Sequence, residues 1–167
     1  VFVGPCAAKK LEASRRSVRS DVDFVLTFEE LQGMFDAKDI DFATLEPDEC
    51  DTDFEHGTGA GRGFAVGGGV AAAVAEVIAQ IAPDREIEVE YGNGLRECRR
   101  MLMMAKAGKR NGYLLGGMAC PGGCVAGAGT ITPVLNATSN VRAYKAKAER
   151  QNSLESEYVD RLKEVEE

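Results

Sequence analysis

The sequence predicts an α/β domain in which a mainly parallel sheet is flanked by helices. Three observations carry that prediction. Short β-branched and apolar runs alternate with longer stretches of helical period, 167 residues suffice for one core, and 44% hydrophobic with 28% charged residues is a globular balance.

Residues 1–3 and 22–27 are short β-branched and apolar runs separated by a stretch rich in Lys, Glu, Ala and Arg, so the chain opens as β-α-β. Thr27 is placed to cap a helix over residues 28–38, because Glu30 stands three positions on, as a capping box requires, and Leu31, Met34 and Phe35 share one face. Residues 46–55 hold six acids and residues 57–69 seven glycines, which predicts an irregular loop before an Ala-rich helix over residues 70–81. That helix is expected to be buried. The apolar stretch over residues 64–82 contains Glu76 and Gln80 and falls short of a membrane span. Residues 87–91 alternate as a strand, residues 95–107 place Leu95, Cys98, Leu102 and Ala105 at helical spacing, and a further strand begins at Tyr113. It runs into Gly116-Gly117-Met118-Ala119-Cys120-Pro121-Gly122-Gly123-Cys124, a strand end turning through glycines into another predicted helix. The polar tail from Asn140 reads as helical. The domain division expected is an α/β unit over residues 1–140 and a C-terminal helical tail over residues 141–167.

A formal charge of −7 and a pI near 4.9 argue against a general nucleic-acid or anionic-membrane surface, because polyanions would be repelled. Five cysteines, an odd number, do not form the dense disulfide framework of small secreted domains, so a reducing compartment, the cytoplasm, is expected. The chain begins at Val1 in a strand-like Val-Phe-Val-Gly-Pro with no initiator Met or leader, and the natural N-terminus is expected upstream.

Ligands of parallel sheets sit beyond the carboxyl ends of strands, where Cys6 and the Cys120/Cys124 pair both fall. The i, i+4 spacing of Cys120 and Cys124 puts both sulfurs on one side of a helix starting at Pro121, so one metal cluster could take both. Gly122 and Gly123 would let it approach the backbone, and helix-terminal amides would favour thiolates. Two buried cysteines in a glycine-rich turn account for the spacing equally well. Three intervening residues exclude the thioredoxin-like motif and the common zinc knuckle, and the single His56 cannot complete a Cys₂His₂ site, which leaves zinc a weak alternative. Four-cysteine iron–sulfur ligation requires Cys6 and a fourth ligand from elsewhere. Cys50 and Cys98 lack a comparable setting.

Lys9 and Glu12 follow Cys6 by three and six residues. Lys9 could turn an ammonium toward an anionic ligand beside the cysteine, with Glu12 holding it across the i, i+3 spacing, although such a pair on a helix is most often a solvated face. His56 and the acidic run beside it read as surface. The glycines of residues 57–69 match neither G-x-G-x-x-G nor G-x-x-x-x-G-K-[ST] in a strand–turn–helix setting, which argues against a nucleotide site.

Two segments together resemble signatures of the [FeFe]-hydrogenases, the iron-only hydrogenases. Phe2-Val3-Gly4-Pro5-Cys6-Ala7-Ala8-Lys9-Lys10-Leu11-Glu12 is similar to that family's M-P-C-x-x-K-x-x-E, and Met118-Ala119-Cys120-Pro121-Gly122-Gly123-Cys124-Val125-Ala126-Gly127 to its E-x-M-x-C-x-x-G-C-x-x-G. Residues 22–31 and 59–70 are also similar, so the resemblance covers residues 1–140. It implies a sub-domain of the iron-only hydrogenase catalytic fold, from the C-terminal part of the large subunit. It further implies a parent oxidoreductase of anaerobic hydrogen metabolism that catalyses 2H⁺ + 2e⁻ ⇌ H₂ at an H-cluster. That cofactor is a [4Fe–4S] cluster bridged through a cysteine to a two-iron unit bearing CO and cyanide. By this resemblance Cys6 and Cys120 are cubane ligands and Cys124 is the bridging one. Lys9 hydrogen-bonds a cyanide, Glu12 orients Lys9, and Met118 packs beside the two-iron unit. The implied partners are the rest of the catalytic domain and a ferredoxin-like electron carrier or fused iron–sulfur domains.

Gly4 stands where that family usually has Met, Gly116 where it has Glu, and the T-S-C-x-P signature that supplies another cubane cysteine does not occur. The isolated chain is therefore expected to be inactive and to lack the cluster, and the departures resemble divergent or sensory members. The alternative is a noncatalytic iron–sulfur or zinc binding module related to hydrogenases, acting in cluster assembly or protein interaction.

Overall fold

A computed structural model of the chain describes residues 1–15, 17, 21–46 and 57–159. Cys50, His56, residues 47–55 of the acidic run and residues 160–167 of the tail lie outside the described residues.

The first strand–helix–strand unit is β1 (Phe2–Val3), α1 (Ala7–Ser14) and β2 (Val25–Leu26), with β2 parallel to β1 and Val25 opposite Phe2. Both strands are shorter than the apolar runs predict. Pro5 has no amide with which to continue the ladder beyond Gly4, whose own amide donates to Leu26 O at 3.0 Å. Thr27 then starts α2 (Phe28–Asp36) with both halves of the capping box present, its hydroxyl accepting from the Glu30 amide while the Glu30 carboxylate accepts from the Thr27 amide. Lys10 Nζ donates to Val25 O at 2.8 Å and to Glu30 Oε2 at 2.7 Å, so one side chain of α1 ties together the strand and helix that follow.

The glycine-rich segment is not the irregular loop its composition predicts. It contains α3 (Gly59–Arg62) and a 3₁₀ turn over Gly63–Ala65. Thr58 caps α3 by accepting from the Gly61 amide, and the next amides are taken by a distant stretch, Gly59 N to Arg150 O and Ala60 N to Gln151 O, both 2.8 Å. Tertiary partners for exposed amides override the low helix propensity of glycine here. The Ala-rich α4 (Gly69–Ile81) follows. Its predicted burial is corrected: only Ala71 and Ala73 are buried, and Ile81 is 68% exposed, because the helix touches neighbours on two sides with small alanines and leaves its larger residues partly in solvent.

The second unit is β3 (Val89–Asn93), α5 (Leu95–Lys106) and β4 (Leu114–Met118), again parallel, with Asn93 opposite Met118. β3 lies two residues beyond the predicted run, because its register is set by pairing with a β4 that carries on through Gly116 and Gly117. The α/β class with parallel pairing stands, as two two-stranded sheets. After β4 the chain makes a 3₁₀ turn over Cys124–Ala126 and then α6 (Val134–Ala146). That helix begins after Pro133, well before the polar stretch at Asn140 that signals it in the sequence.

The two units meet through the segment behind the cysteines. Gly129 N donates to Pro5 O at 3.0 Å, and Phe28 N donates to Gly129 O at 3.1 Å, so this segment bridges β1 and the start of α2. Gly127 lies so close to the Pro5 carbonyl that a Cβ there would collide with it. The carboxyl ends of β1 and β4 therefore open on the same region.

Candidate metal centre

Cys6 occupies the N-cap of α1 in extended conformation, φ −103° and ψ 102°, and its side chain makes no cap bond. The thiol is left available. One turn on, Lys9 Nζ donates to Glu12 Oε2 at 2.8 Å and Oε1 at 3.0 Å, the i, i+3 pairing of a helix surface. The bond from Glu12 raises the Lys9 pKa above its ordinary value, desolvation opposes it, and the charges of Glu12, Cys6 and Cys124 add to the rise. The ammonium thus holds its proton beside Glu12.

Cys120 and Cys124 do not share an α-helix, and the expected helical face is corrected. Gly122 and Gly123 have φ of 95° and 93°, a left-handed conformation that an α-helix excludes, and Cys124 instead opens the short 3₁₀ turn. The turn is closed by Gly123 N to Cys120 O at 3.0 Å and Gly127 N to Cys124 O at 2.8 Å. A side chain at Gly123 has no room, since its Cβ would stand 2.6 Å from Ala65 O and 2.7 Å from Val66 C. Both cysteines retain exposed surface. Partial burial raises the Cys124 thiol pKa, the charges of Cys6 and Cys120 raise it further, and Lys9 opposes them.

Cys6, Cys120 and Lys9 therefore each act electrostatically on Cys124, from separate parts of the chain that the Gly129 amide and Pro5 carbonyl tie together. Glu12 joins through Lys9. Met118 closes β4 just before Cys120, and its carbonyl accepts from the Gly94 amide at 2.8 Å. Cys98 is not brought in, because its thiol is turned to the backbone, toward Gly92 O at 3.5 Å and Met118 O at 3.7 Å. Beside Cys124 lies an apolar cleft lined by Pro5, Phe28, Ala65, Ile131 and Val141.

Among the described residues no three His, Cys, Asp or Glu side chains are grouped as ligands of a single metal ion. Tetrahedral Zn–S bonds of about 2.3 Å would hold sulfurs about 3.8 Å apart. Three thiols from two strand ends suit the thiolate ligation of an iron–sulfur group, and a lysine whose charge acts on Cys124 suits that group's negative charge. A cubane takes four ligands, and the described residues bring three cysteines to this place.

Sequence reasoning missed Asn93, the last residue of β3. Its side-chain oxygen accepts from the Gly122 amide at 2.7 Å, in the middle of the cysteine turn. The sequence signal is only an Asn between glycines at a strand end, with a partner 29 residues away.

Fold and site together define a class, an α/β domain that converges thiols and a lysine at the carboxyl ends of parallel strands. The chain belongs to the family described as iron only hydrogenase large subunit, C-terminal domain, whose model matches residues 1–128. It is 31% identical over 159 residues to the periplasmic [Fe] hydrogenase large subunit of Nitratidesulfovibrio vulgaris, covering 77% of this chain and 38% of that protein. It is 29% identical over 170 residues to a probable cytosolic Fe-S cluster assembly factor of Aedes aegypti, covering 80% of this chain and 36% of that protein. The fold is similar to that of a solved [FeFe]-hydrogenase, with a TM-score of 0.64 at 20% identity over 98% of this chain and 57% of that one. The chain spans between 27% and 38% of the length of the curated relatives it matches. Among the described residues no helix is long and apolar enough to cross a membrane.

Proposed function

We propose that this chain is the part of an [FeFe]-hydrogenase catalytic domain that contributes Cys6, Cys120 and Cys124 to an H-cluster, in a parent protein that interconverts protons, electrons and H₂. The observation that carries this reading is that Pro5, next to Cys6, packs against Gly127 and Gly129 behind Cys124, more than a hundred residues on, so that Cys6, Cys120 and Lys9 all act electrostatically on Cys124. In this reading Cys6 and Cys120 would hold the [4Fe–4S] cluster and Cys124 would hold it beside the two-iron unit. The fourth cubane cysteine comes from the rest of the domain. When bound, the cofactor supplies the redox and hydrogen chemistry.

The chain's own residues hold and shape the site. Lys9 would donate a hydrogen bond to an anionic ligand of the cofactor, with Glu12, which accepts from it here, fixing its direction and favouring its charged form. Met118, the last residue of β4, would pack beside the two-iron unit. Gly4 and Gly116 stand where the family signatures carry Met and Glu, and Phe2 and Ala71 close in on the two positions; that altered surrounding favours a slow or sensory member. The parent takes electrons from a ferredoxin-like carrier or from fused iron–sulfur domains and works in the cytoplasm, without the isolated chain being active.

The likeness to an assembly factor favours a second reading, a noncatalytic iron–sulfur module. The two part at Cys124 and Lys9, which a cubane alone does not require. The test is anaerobic maturation of the whole parent protein, followed by infrared spectroscopy for bound CO and cyanide and by assays of H₂ uptake and evolution. Bands with turnover are expected of an enzyme, and bands with little turnover of a sensor. A loaded cubane with no bands would overturn the two-iron assignment and leave the second reading.

A further inference from the structure

We propose that Asn93 is the positioning residue of the cysteine turn, setting the relation of Cys120 to Cys124 by holding the peptide groups of Gly122 that lie between them. The inference rests on the reading of these cysteines as cluster ligands, but its first readout does not.

Gly122 is held from both sides by residues remote in sequence. Its amide donates to Asn93 Oδ1 at 2.7 Å, and its carbonyl accepts from the Gly67 amide at 2.9 Å. The rest of the Cys120–Cys124 segment is closed by hydrogen bonds within itself, by the tight approach of Gly123 to Ala65 and Val66, and by Pro121 lying beside Gly94. A turn with two consecutive left-handed glycines has many alternative conformations, because glycine gives up more backbone freedom on ordering than any other residue. An external acceptor on the central amide selects one of them.

Asn93 is suited to that task. It is the last residue of β3 and pairs with Met118 of β4, two residues before Cys120, so strand register fixes the base of its side chain. Its own amide donates to Glu97 Oε2 at 2.8 Å, which anchors it to the first turn of α5. The next amide, Gly94 N, donates to Met118 O at 2.8 Å. The side chain therefore reaches the turn from a backbone held at three points, and it does so as a hydrogen-bond acceptor, a role that Asp can fill and Leu or Ala cannot.

The test uses the full 167-residue chain with the variants N93L, N93A and N93D. In the metal-free protein, amide hydrogen exchange at Gly122 is expected to rise about tenfold in N93L and N93A, the equivalent of one hydrogen bond. It should stay near the parent rate in N93D, with melting behaviour little changed in all three. In protein loaded anaerobically with iron and sulfide, cluster loss to a chelator is expected to accelerate several-fold in N93L and N93A and to recover in N93D. Unchanged Gly122 exchange in N93L and N93A, or an N93D as fast as N93L, would overturn the inference. Should the parent chain take up no cluster, the exchange readout still decides the role of Asn93, while the cluster reading fails separately. Should N93L not fold, the comparison of N93A with N93D carries the decision.

Discussion

Cys6 is the N-cap of an α-helix whose next residues are held by side-chain ion pairs, Lys9 to Glu12 and Lys10 to Glu30. Cys120 and Cys124 are presented by a glycine turn held largely by main-chain hydrogen bonds, from Gly67 and within the turn, with the Asn93 side chain accepting from its Gly122 amide. The first mode tolerates small changes, because exposed charges rearrange and each pair contributes little. The second does not, since a Cβ added to a left-handed glycine packed against a neighbouring backbone is strained and has no room.

The largest effect that would test this contrast comes from exchanging Ala and Gly in opposite directions at the two places. G123A forces a Cβ into the Ala65–Val66 backbone at a φ of 93°. It is expected to lower unfolding free energy by more than about 2 kcal/mol and to abolish cluster loading. A8G in α1 should cost only about 1 kcal/mol and leave loading intact. Urea unfolding and iron content read both, and equal losses would break the contrast.

A middle effect is expected at the cap of α2. Thr27 is 7% exposed and makes both capping-box bonds. T27A should destabilise by about 1 kcal/mol, and T27S should restore most of it. Urea midpoints at constant slope would check this, and a cluster site insensitive to T27A would confirm that the cap serves the fold rather than the turn.

The smallest effect is in pH. The Glu30 carboxyl is lowered from its ordinary 4.5 to about 2, first by the hydrogen bond from Lys10 and then by the Thr27 amide. Its folded pKa lies below its unfolded one, so the stability it contributes is complete above about 4.5 and is lost as pH falls toward 2. Thermal melts across that window should show a shallower acid loss in E30Q than in the parent chain. An identical slope would remove Glu30 from the account of α1 and α2.

The legibility of the molecule follows the same division. The capping box at Thr27 and Glu30 and the i, i+3 pair of Lys9 and Glu12 were readable because each is a short-range relation between side chains, fixed by helix geometry once the helix forms. The alternation of strands and helices was readable for the same reason, since period and β-branching are local properties. Boundaries were less so: β3 slid two residues to meet a strand that continues through glycines, and α3 formed in a segment whose seven glycines predict a loop.

By itself the sequence determined the α/β class, the two cysteine segments and their positions after strands, because composition, periodicity and motif spacing are written along the chain. Only the tertiary structure decided that Cys120 and Cys124 sit on a left-handed glycine turn rather than a helix, that Cys98 faces backbone, and that Asn93 grips Gly122. Those outcomes depend on which distant amides and carbonyls come to lie within about 3 Å, and hydrogen bonds of that reach carry no trace in residue spacing.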